Sequence, residues 1–216
     1  MLFRSYRKAL SNSLDSIKKM EEILDSGTSY YKWQDSMVGY GVKMPEYRDC
    51  VDFKIRQIPK EYQHTDVDVE ANSIWENLYD AQFGAVQDYC NYHNIKMDFW
   101  EVMNFIRYGE NQHFQEHADH GFSYIATVSL VGYPNDDYEG GELIFPKLGI
   151  KIKPQAGDLY IFPSTYIYSH IAAPVTKGTK YSLVTMLDYN DNAHNDEYYK
   201  LRETRIAEGK QKKTEK

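Results

Sequence analysis

The sequence predicts a mainly β fold with flanking helices (α+β): a double-sheet jelly roll, or double-stranded β-helix, supported by N-terminal helices. Three observations carry this expectation. Two segments in the first half repeat apolar residues at steps of three and four, the period of a helix face. The second half breaks into short β-rich runs separated by Gly and Pro. A chain of 216 residues, 42% of them hydrophobic, is also long enough to bury one sizeable core.

In chain order, residues 1–27 read as one helix packed on the core by the side carrying Tyr6, Leu10, Leu14, Ile17, Met20 and Ile23, with Gly27 as its stop. Strand-like pieces follow at 36–42 and 50–58, separated by Pro45 and Glu46. A long helical pattern covers 67–93, with Ile74, Leu78, Phe83, Val86 and Tyr89 broadly on one side. Short strand-like runs then occupy 96–108, 123–131, 142–145, 150–153, 158–162, 167–172 and 180–187. Gly140-Gly141 reads as a hairpin turn that brings 142–145 back beside neighbouring strands. The main domain therefore spans 28–190, and 191–216 is a polar tail whose last residues, 209–216, read as frayed or disordered.

Composition narrows the partners. The chain has 25 basic and 32 acidic residues, a net charge of −7 that repels a phosphate backbone at long range and counts against a nucleic-acid enzyme. Cys50 and Cys90 lie far apart without C-x-x-C spacing, so no disulfide framework is expected and a reducing, cytoplasmic setting is the simpler reading. The N-terminal charges precede no long apolar stretch, and neither a signal peptide nor a membrane span is read.

The chemistry is concentrated in His117-Ala118-Asp119, followed 53 positions later by His170 and ten after that by Lys180. On a strand, residues i and i+2 project to one side, so His117 and Asp119 converge while Ala118 points away. Two imidazoles and a carboxylate can occupy one face of an octahedral Fe(II) and leave three positions open. Lys180 precedes the apolar run 181–187, where a charged head is expensive unless paired, so a carboxylate partner is expected. A diacid would satisfy both needs, one end on the metal and the other on Lys180. The rival is zinc on His113, His117 and His120. Yet Phe114 stands where that helical motif needs its general-base Glu, and strand parity turns His120 away from His117. Iron is the better reading, with His113 and His120 as polar loop residues.

Other blocks keep the same order. Tyr108-Gly109 stands nine positions before His117, and 138–146 reads Y-E-G-G-E-L-I-F-P against E-G-G-E-T-x-F-P. Residues 152–162 read I-K-P-Q-A-G-D-L-Y-I-F against V-x-P-x-x-G-D-x-L-x-F, and 170–180 match H-x-x-x-P-V-x-x-G-x-K. From Trp100 to Asp188 the chain thus resembles the prolyl-4-hydroxylase-type branch of the 2-oxoglutarate and Fe(II)-dependent dioxygenases. The resemblance implies Fe(II) held by His117, Asp119 and His170 as catalytic residues. It also implies 2-oxoglutarate whose remote carboxylate meets Lys180, Tyr108 and Thr127, O2 as second cosubstrate, and ascorbate as reductant. The implied reaction yields succinate and CO2 and hydroxylates an unactivated C–H, first of all in a proline of a peptide or protein. Asp119 favours hydroxylation, since halogenating relatives give up this carboxylate.

The chain departs from the collagen-type and oxygen-sensing enzymes at Met186, where they have Trp, at Val131, where a Tyr is usual, and at Asp188, where the collagen-type has His. Three alternatives stand beside the first reading. One is the same chemistry on a free amino acid or another small molecule. A second is a nucleic-acid demethylase, disfavoured by charge and by Lys180 where that branch has Arg. The third is a non-catalytic jelly-roll binding module. Tyr30, Tyr31, Tyr40, Tyr133 and Tyr138 are candidates to line a peptide groove, although ordinary packing explains them equally well.

Overall fold

The computed structural model describes residues 2–28, 30–39, 41–121, 125–190 and 194–201, together with 203, 204 and 207. From the N-terminus, β1 (Arg4–Tyr6) precedes helix α1 (Leu14–Ser26). Strands β2 (Gln34–Asp35), β3 (Arg48–Asp49) and β4 (Val51–Ile55) lead to the long helix α2 (Asp66–His93). Next come β5 (Phe99–Trp100), β6 (Met103–Tyr108), β7 (His113–His117) and β8 (Val128–Tyr133). The last run is β9 (Glu139–Gly140), β10 (Leu143–Phe145), β11 (Ile150–Ile152), β12 (Asp158–Pro163), β13 (His170–Ala172), β14 (Val175–Lys177) and β15 (Lys180–Asp188).

These strands make the two sheets of a jelly roll. The larger has the order β1-β12-β8-β15-β6-β4-β2, with β5 also on β15; the smaller has the order β11-β10-β13-β7-β3, and β14 pairs with β9. Period-two alternation gives the large sheet two different faces. Outward residues such as Phe53, Phe105 and Leu183 pack on Ile17, Met20 and Leu24 of α1 and on Ile74 and Leu78 of α2. Farther along, Val128, Leu130, Leu159 and Ile161 pack on Val86 and Tyr89 of α2. Inward residues, among them Val131, Tyr133, Tyr160 and Phe162, meet Leu143 and Phe145 of the small sheet. Each fully buried aliphatic side chain here contributes about 1.5–3 kcal/mol. Helix α2 starts at a capping box in which Thr65 and Asp68 each accept the other's backbone N–H, and it stops at left-handed Asn94.

The structure corrects several expectations. Residues 2–10 are not helical: Arg4–Tyr6 is an edge strand on β12, a single 3-10 turn covers Ser11–Ser13, and α1 begins only at Leu14. The strand sends Phe3 to the inner cluster and Tyr6 to the helix-facing one, a division that the spacing of Tyr6, Leu10 and Leu14 masked. The stretch expected as a strand at 36–42 holds only an isolated bridge between Val38 and Val42. Gly140-Gly141 is not a hairpin turn, because β9 pairs with β14 while β10 pairs with β13. Both glycines are left-handed, at φ 70° and 64°, and they carry the chain from one pairing to the other.

The region from 191 onward is not uniformly a solvated tail. His194 is buried, stacks on Phe99 with ring centres 3.6 Å apart, and lies 3.0 Å from Asp188. The expected fraying at 209–216, positions 123–124 of the run at 123–131, and Tyr40 lie outside the described residues. Among the described residues no helix is long and apolar enough to cross a membrane.

Candidate metal centre

The small sheet brings the two histidines together. His117 ends β7 and His170 begins β13, and the two are direct partners in the antiparallel pairing, just before a register shift between His170 and Ala172. Asp119 follows His117 by two residues and faces the same point. One ligand atom from each of His117, Asp119 and His170 lies within 4.8 Å of the other two. His117 Nε2 is 3.7 Å from Asp119 Oδ1, and His170 Nε2 is 3.9 Å from Asp119 Oδ2.

Surrounding contacts fix how these groups point. His117 Nδ1 lies 2.8 Å from the Gln115 carbonyl and His170 Nδ1 lies 3.2 Å from that of Tyr168. Each Nδ1 therefore carries the proton and leaves the Nε2 lone pair toward Asp119. Burial, reinforced by His170 and opposed by Asp119, pushes the His117 pKa down to about 3, so the imidazole is neutral, the form that ligates a metal. Phe114 stacks on His117 with ring centres 3.5 Å apart. Ser129, fully buried on the inner face of β8, donates to Asp119 Oδ2 at 2.5 Å and is itself 2.7 Å from the Ser164 hydroxyl. Two imidazoles and one oriented carboxylate suit a divalent iron.

An inner cavity of about 80 Å³ runs from this cluster to Lys180, past Val131, Tyr133, Leu143 and Ser182. Lys180 is 1% exposed and directly opposite Tyr108 in the β15 to β6 pairing. Its Nζ donates to the Gly141 carbonyl at 2.8 Å and sits 5.1 Å and 5.3 Å from the ring centres of Tyr108 and Tyr133. Among the described residues it makes no ion pair. Burial first, then the charge of Lys153, pushes its pKa down to about 7. Such a site is suited to an anion, which would restore the ammonium. Desolvation, then Cys50, holds the Tyr108 pKa well above the ordinary phenol value, so its hydroxyl stays a donor. Gly141 makes this corner possible: a Cβ there would lie 2.8 Å from the Tyr138 ring and 3.0 Å from Lys180 Cδ.

Thr127 does not join this site. Its hydroxyl donates to Asp188 at 2.5 Å and its N–H to the Leu187 carbonyl at 2.8 Å, at the end of β15 away from Lys180. Eight residues of strand separate the two ends, roughly 26 Å at about 3.3 Å per residue. Tyr133, beside Lys180, is the residue that sequence reasoning passed over as a ligand contact. Its signal was parity, since Ser129, Val131 and Tyr133 share the inner face of β8. His113 lies in β7, not in a loop, and contacts the carbonyls of Asn111 and Glu46. Four strand residues put it roughly 13 Å from His117, which removes the zinc arrangement. His120 lies 2.7 Å from the Ala126 carbonyl.

A wider cleft of about 460 Å³ opens on the outer side of His117 and Asp119, between Tyr47, Arg48, Lys54, Arg56 and Met186. Partly buried Arg48 was not anticipated: it lies over the Phe114 ring at 4.8 Å and reaches Asp52 at 3.2 Å. Of the tyrosines considered for a groove, Tyr31, Tyr133 and Tyr138 are buried, and Tyr30 is exposed beside a second cleft.

Comparison with known proteins agrees with this geometry. Residues 103–188 match the sequence model of the 2OG-Fe(II) oxygenase superfamily. A relative from Acanthamoeba polyphaga mimivirus, whose name assigns it provisionally to the prolyl 4-hydroxylases, is 30% identical over 117 residues, 44% of this chain and 48% of its own. A PKHD-type hydroxylase of Alteromonas mediterranea is 32% identical over 96 residues, 38% of this chain and 41% of its own. The chain thus spans less than half the length of these curated relatives. In fold it is similar to a Trichoplax adhaerens prolyl hydroxylase solved with a peptide of hypoxia inducible factor (TM-score 0.69, 16% identity, 87% of this chain and 83% of that one). It is also similar to a Pseudomonas putida prolyl-4-hydroxylase (TM-score 0.65, 15% identity, 87% and 92%).

Proposed function

We propose that the chain is a 2OG-Fe(II) oxygenase, the superfamily whose model matches residues 103–188, and that it hydroxylates a prolyl residue of a peptide or protein, using Fe(II), 2-oxoglutarate and O2. The observation that carries the reading is the close set of His117, Asp119 and His170 at one end of a cavity whose other end is a buried lysine. His117, Asp119 and His170 would hold the iron. Bound there with its cosubstrates, Fe(II) supplies an oxidant strong enough for an unactivated C–H, as 2-oxoglutarate goes to succinate and CO2.

The protein's own part is positioning. Lys180 receives the remote carboxylate of 2-oxoglutarate, and Tyr108 and Tyr133 offer phenol hydroxyls beside it. Ser129 keeps Asp119 from turning, and the two Nδ1 contacts keep both imidazoles in register. Leu143 and Val131 wall the cavity with apolar surface that excludes water from the reacting centre. The outer cleft reaches His117 and Asp119 from the surface, and its volume of about 460 Å³, open to solvent, favours a peptide over a free amino acid. Ascorbate is expected to sustain turnover by keeping the iron reduced. Cys50 and Cys90, both free and buried, accord with a reducing, cytoplasmic setting.

The test is an anaerobic titration of metal-free protein with Fe(II) and then 2-oxoglutarate, read by the visible charge-transfer band of the chelate. Succinate release is then measured with proline peptides and with free proline. A band and peptide-stimulated succinate support the reading. Stimulation by free proline alone would move the substrate to a small molecule, and a folded protein without a band would leave a binding module.

A further inference from the structure

Strand β4 sorts its side chains by parity. Phe53 and Ile55 are buried against the helices, so Asp52, Lys54 and the next residue in this series, Arg56, belong to the opposite face, which borders the metal cleft. Lys54 is the register partner of Asn104 on β6, another residue lining that cleft. Arg56 borders three open spaces at once: the metal cleft of about 460 Å³, a cleft of about 410 Å³ along the edge of β4, and one of about 300 Å³ walled by Trp75, Tyr79 and Trp100. An extended chain that passes the metal and continues into either neighbouring cleft passes this guanidinium.

The nearby carboxylates are largely engaged. Asp52 takes Arg48 at 3.2 Å and the Ser36 hydroxyl at 2.7 Å, and Asp35 takes Lys43 at 2.5 Å. Asp119 belongs to the metal set, and Glu101 lies at the cleft wall with a partner of its own. Arg56, by contrast, is exposed and makes no ion pair, hydrogen bond or ring contact among the described residues. These cations gather at the cleft in a chain whose net charge is −7, so they run against the overall bias. An acidic ligand gains nothing from long-range attraction here and depends on the local charges.

From this placement we propose that Arg56 binds a carboxylate side chain of the substrate, one that flanks the residue to be hydroxylated. The preferred substrate is then an extended acidic peptide. The proposal rests on the peptide-hydroxylase reading above and adds its sequence preference.

The experiment is a set of proline-centred nonapeptides that carry Glu, Gln or Lys singly at each of the three positions on either side of the proline. Binding is read by fluorescence anisotropy on protein loaded with Mn(II) and 2-oxoglutarate, and turnover by mass. For a solvent-accessible ion pair, Glu at one position should tighten binding and lower KM about five-fold relative to Gln, with kcat little changed. Arg56→Glu should reverse the order, so that Lys is preferred at that position, while the charge-transfer band with Fe(II) and 2-oxoglutarate remains. Equal binding of the Glu and Gln peptides, or a Glu preference that survives Arg56→Glu, would overturn the proposal. If no peptide is turned over but anisotropy still shows the Arg56-dependent Glu preference, the hydroxylase reading fails and the acidic-peptide site stands.

Discussion

Lys180→Met keeps the length and apolar stem of the side chain and removes the ammonium. In the folded protein burial holds the Lys180 pKa near 7 against an ordinary 10.5, so folding weakens its hold on the proton. A group whose folded pKa is depressed in this way destabilises the fold fully below about pH 7, and the penalty fades as pH rises toward the unfolded value. At roughly 1.4 kcal/mol per pKa unit the gap corresponds to about 5 kcal/mol at pH 6 and about 2 kcal/mol at pH 9. Methionine cannot donate to the Gly141 carbonyl, and leaving that acceptor unpaired costs about 1–3 kcal/mol. The variant should therefore be more stable than the parent by roughly 2–4 kcal/mol at pH 6, with about 3 kcal/mol of the advantage lost by pH 9.

Urea denaturation of the metal-free proteins at pH 6, 7.5 and 9 measures both quantities. With both proteins already loaded with Mn(II), excess 2-oxoglutarate should raise the stability of the parent further, by about 2.7 kcal/mol at a hundred times its Kd, and that of the variant far less at the same concentration. A variant less stable than the parent at pH 6, or a difference that does not move with pH, would refute the reasoning: Lys180 would then be neither dry nor waiting for an anion.

His170→Ala should abolish the charge-transfer band and succinate release while the circular dichroism of the fold persists, since the residue meets the sheet only as a three-residue strand's first member. Ser129→Ala removes the hydroxyl that restrains Asp119 and should weaken Fe(II) binding roughly 10-fold to 100-fold by direct metal titration, with little effect on 2-oxoglutarate affinity measured at saturating metal. Gly141→Ala places a methyl at 2.8 Å from Tyr138 on a backbone at φ 64°, and should cost about 2–4 kcal/mol in chemical denaturation as well as raising the KM for 2-oxoglutarate.

The parts of the site that could be read from the sequence are those fixed by local geometry. The i, i+2 rule joins His117 to Asp119, and the apolar run after Lys180 marks a lysine that needs a reason to be buried. Helix α2 was legible because its apolar spacing runs on over 67–93 and nothing competed with it. The failures are all cases in which a distant partner decided. Tyr6 fits a helix face until β12 claims it as an edge strand. Gly140-Gly141 has hairpin composition, yet its flanks pair with β13 and β14, which begin 29 and 34 residues after Gly141. Thr127 is adjacent in sequence to the inward strand β8, and only the antiparallel direction of β15 shows that it meets Asp188 and not Lys180. His194 looked like part of a polar tail because nothing nearby in sequence announces Phe99 as its stacking partner.

Strand β15 acts as a measuring rod. Lys180 stands at one end, Val184 and Met186 border the outer cleft farther along, and Asp188 anchors the far end through Thr127 and His194. Pairing with β6 on one side and β8 on the other leaves the rod no freedom to slide, because a slip of one residue would turn Lys180 out of the cavity and Leu183 into it. The separation between the cosubstrate anchor and the substrate-facing side chains is thus set by backbone rise, independent of any loop. Loops around the cleft can be exchanged to change what is bound without altering how far the chemistry has to reach.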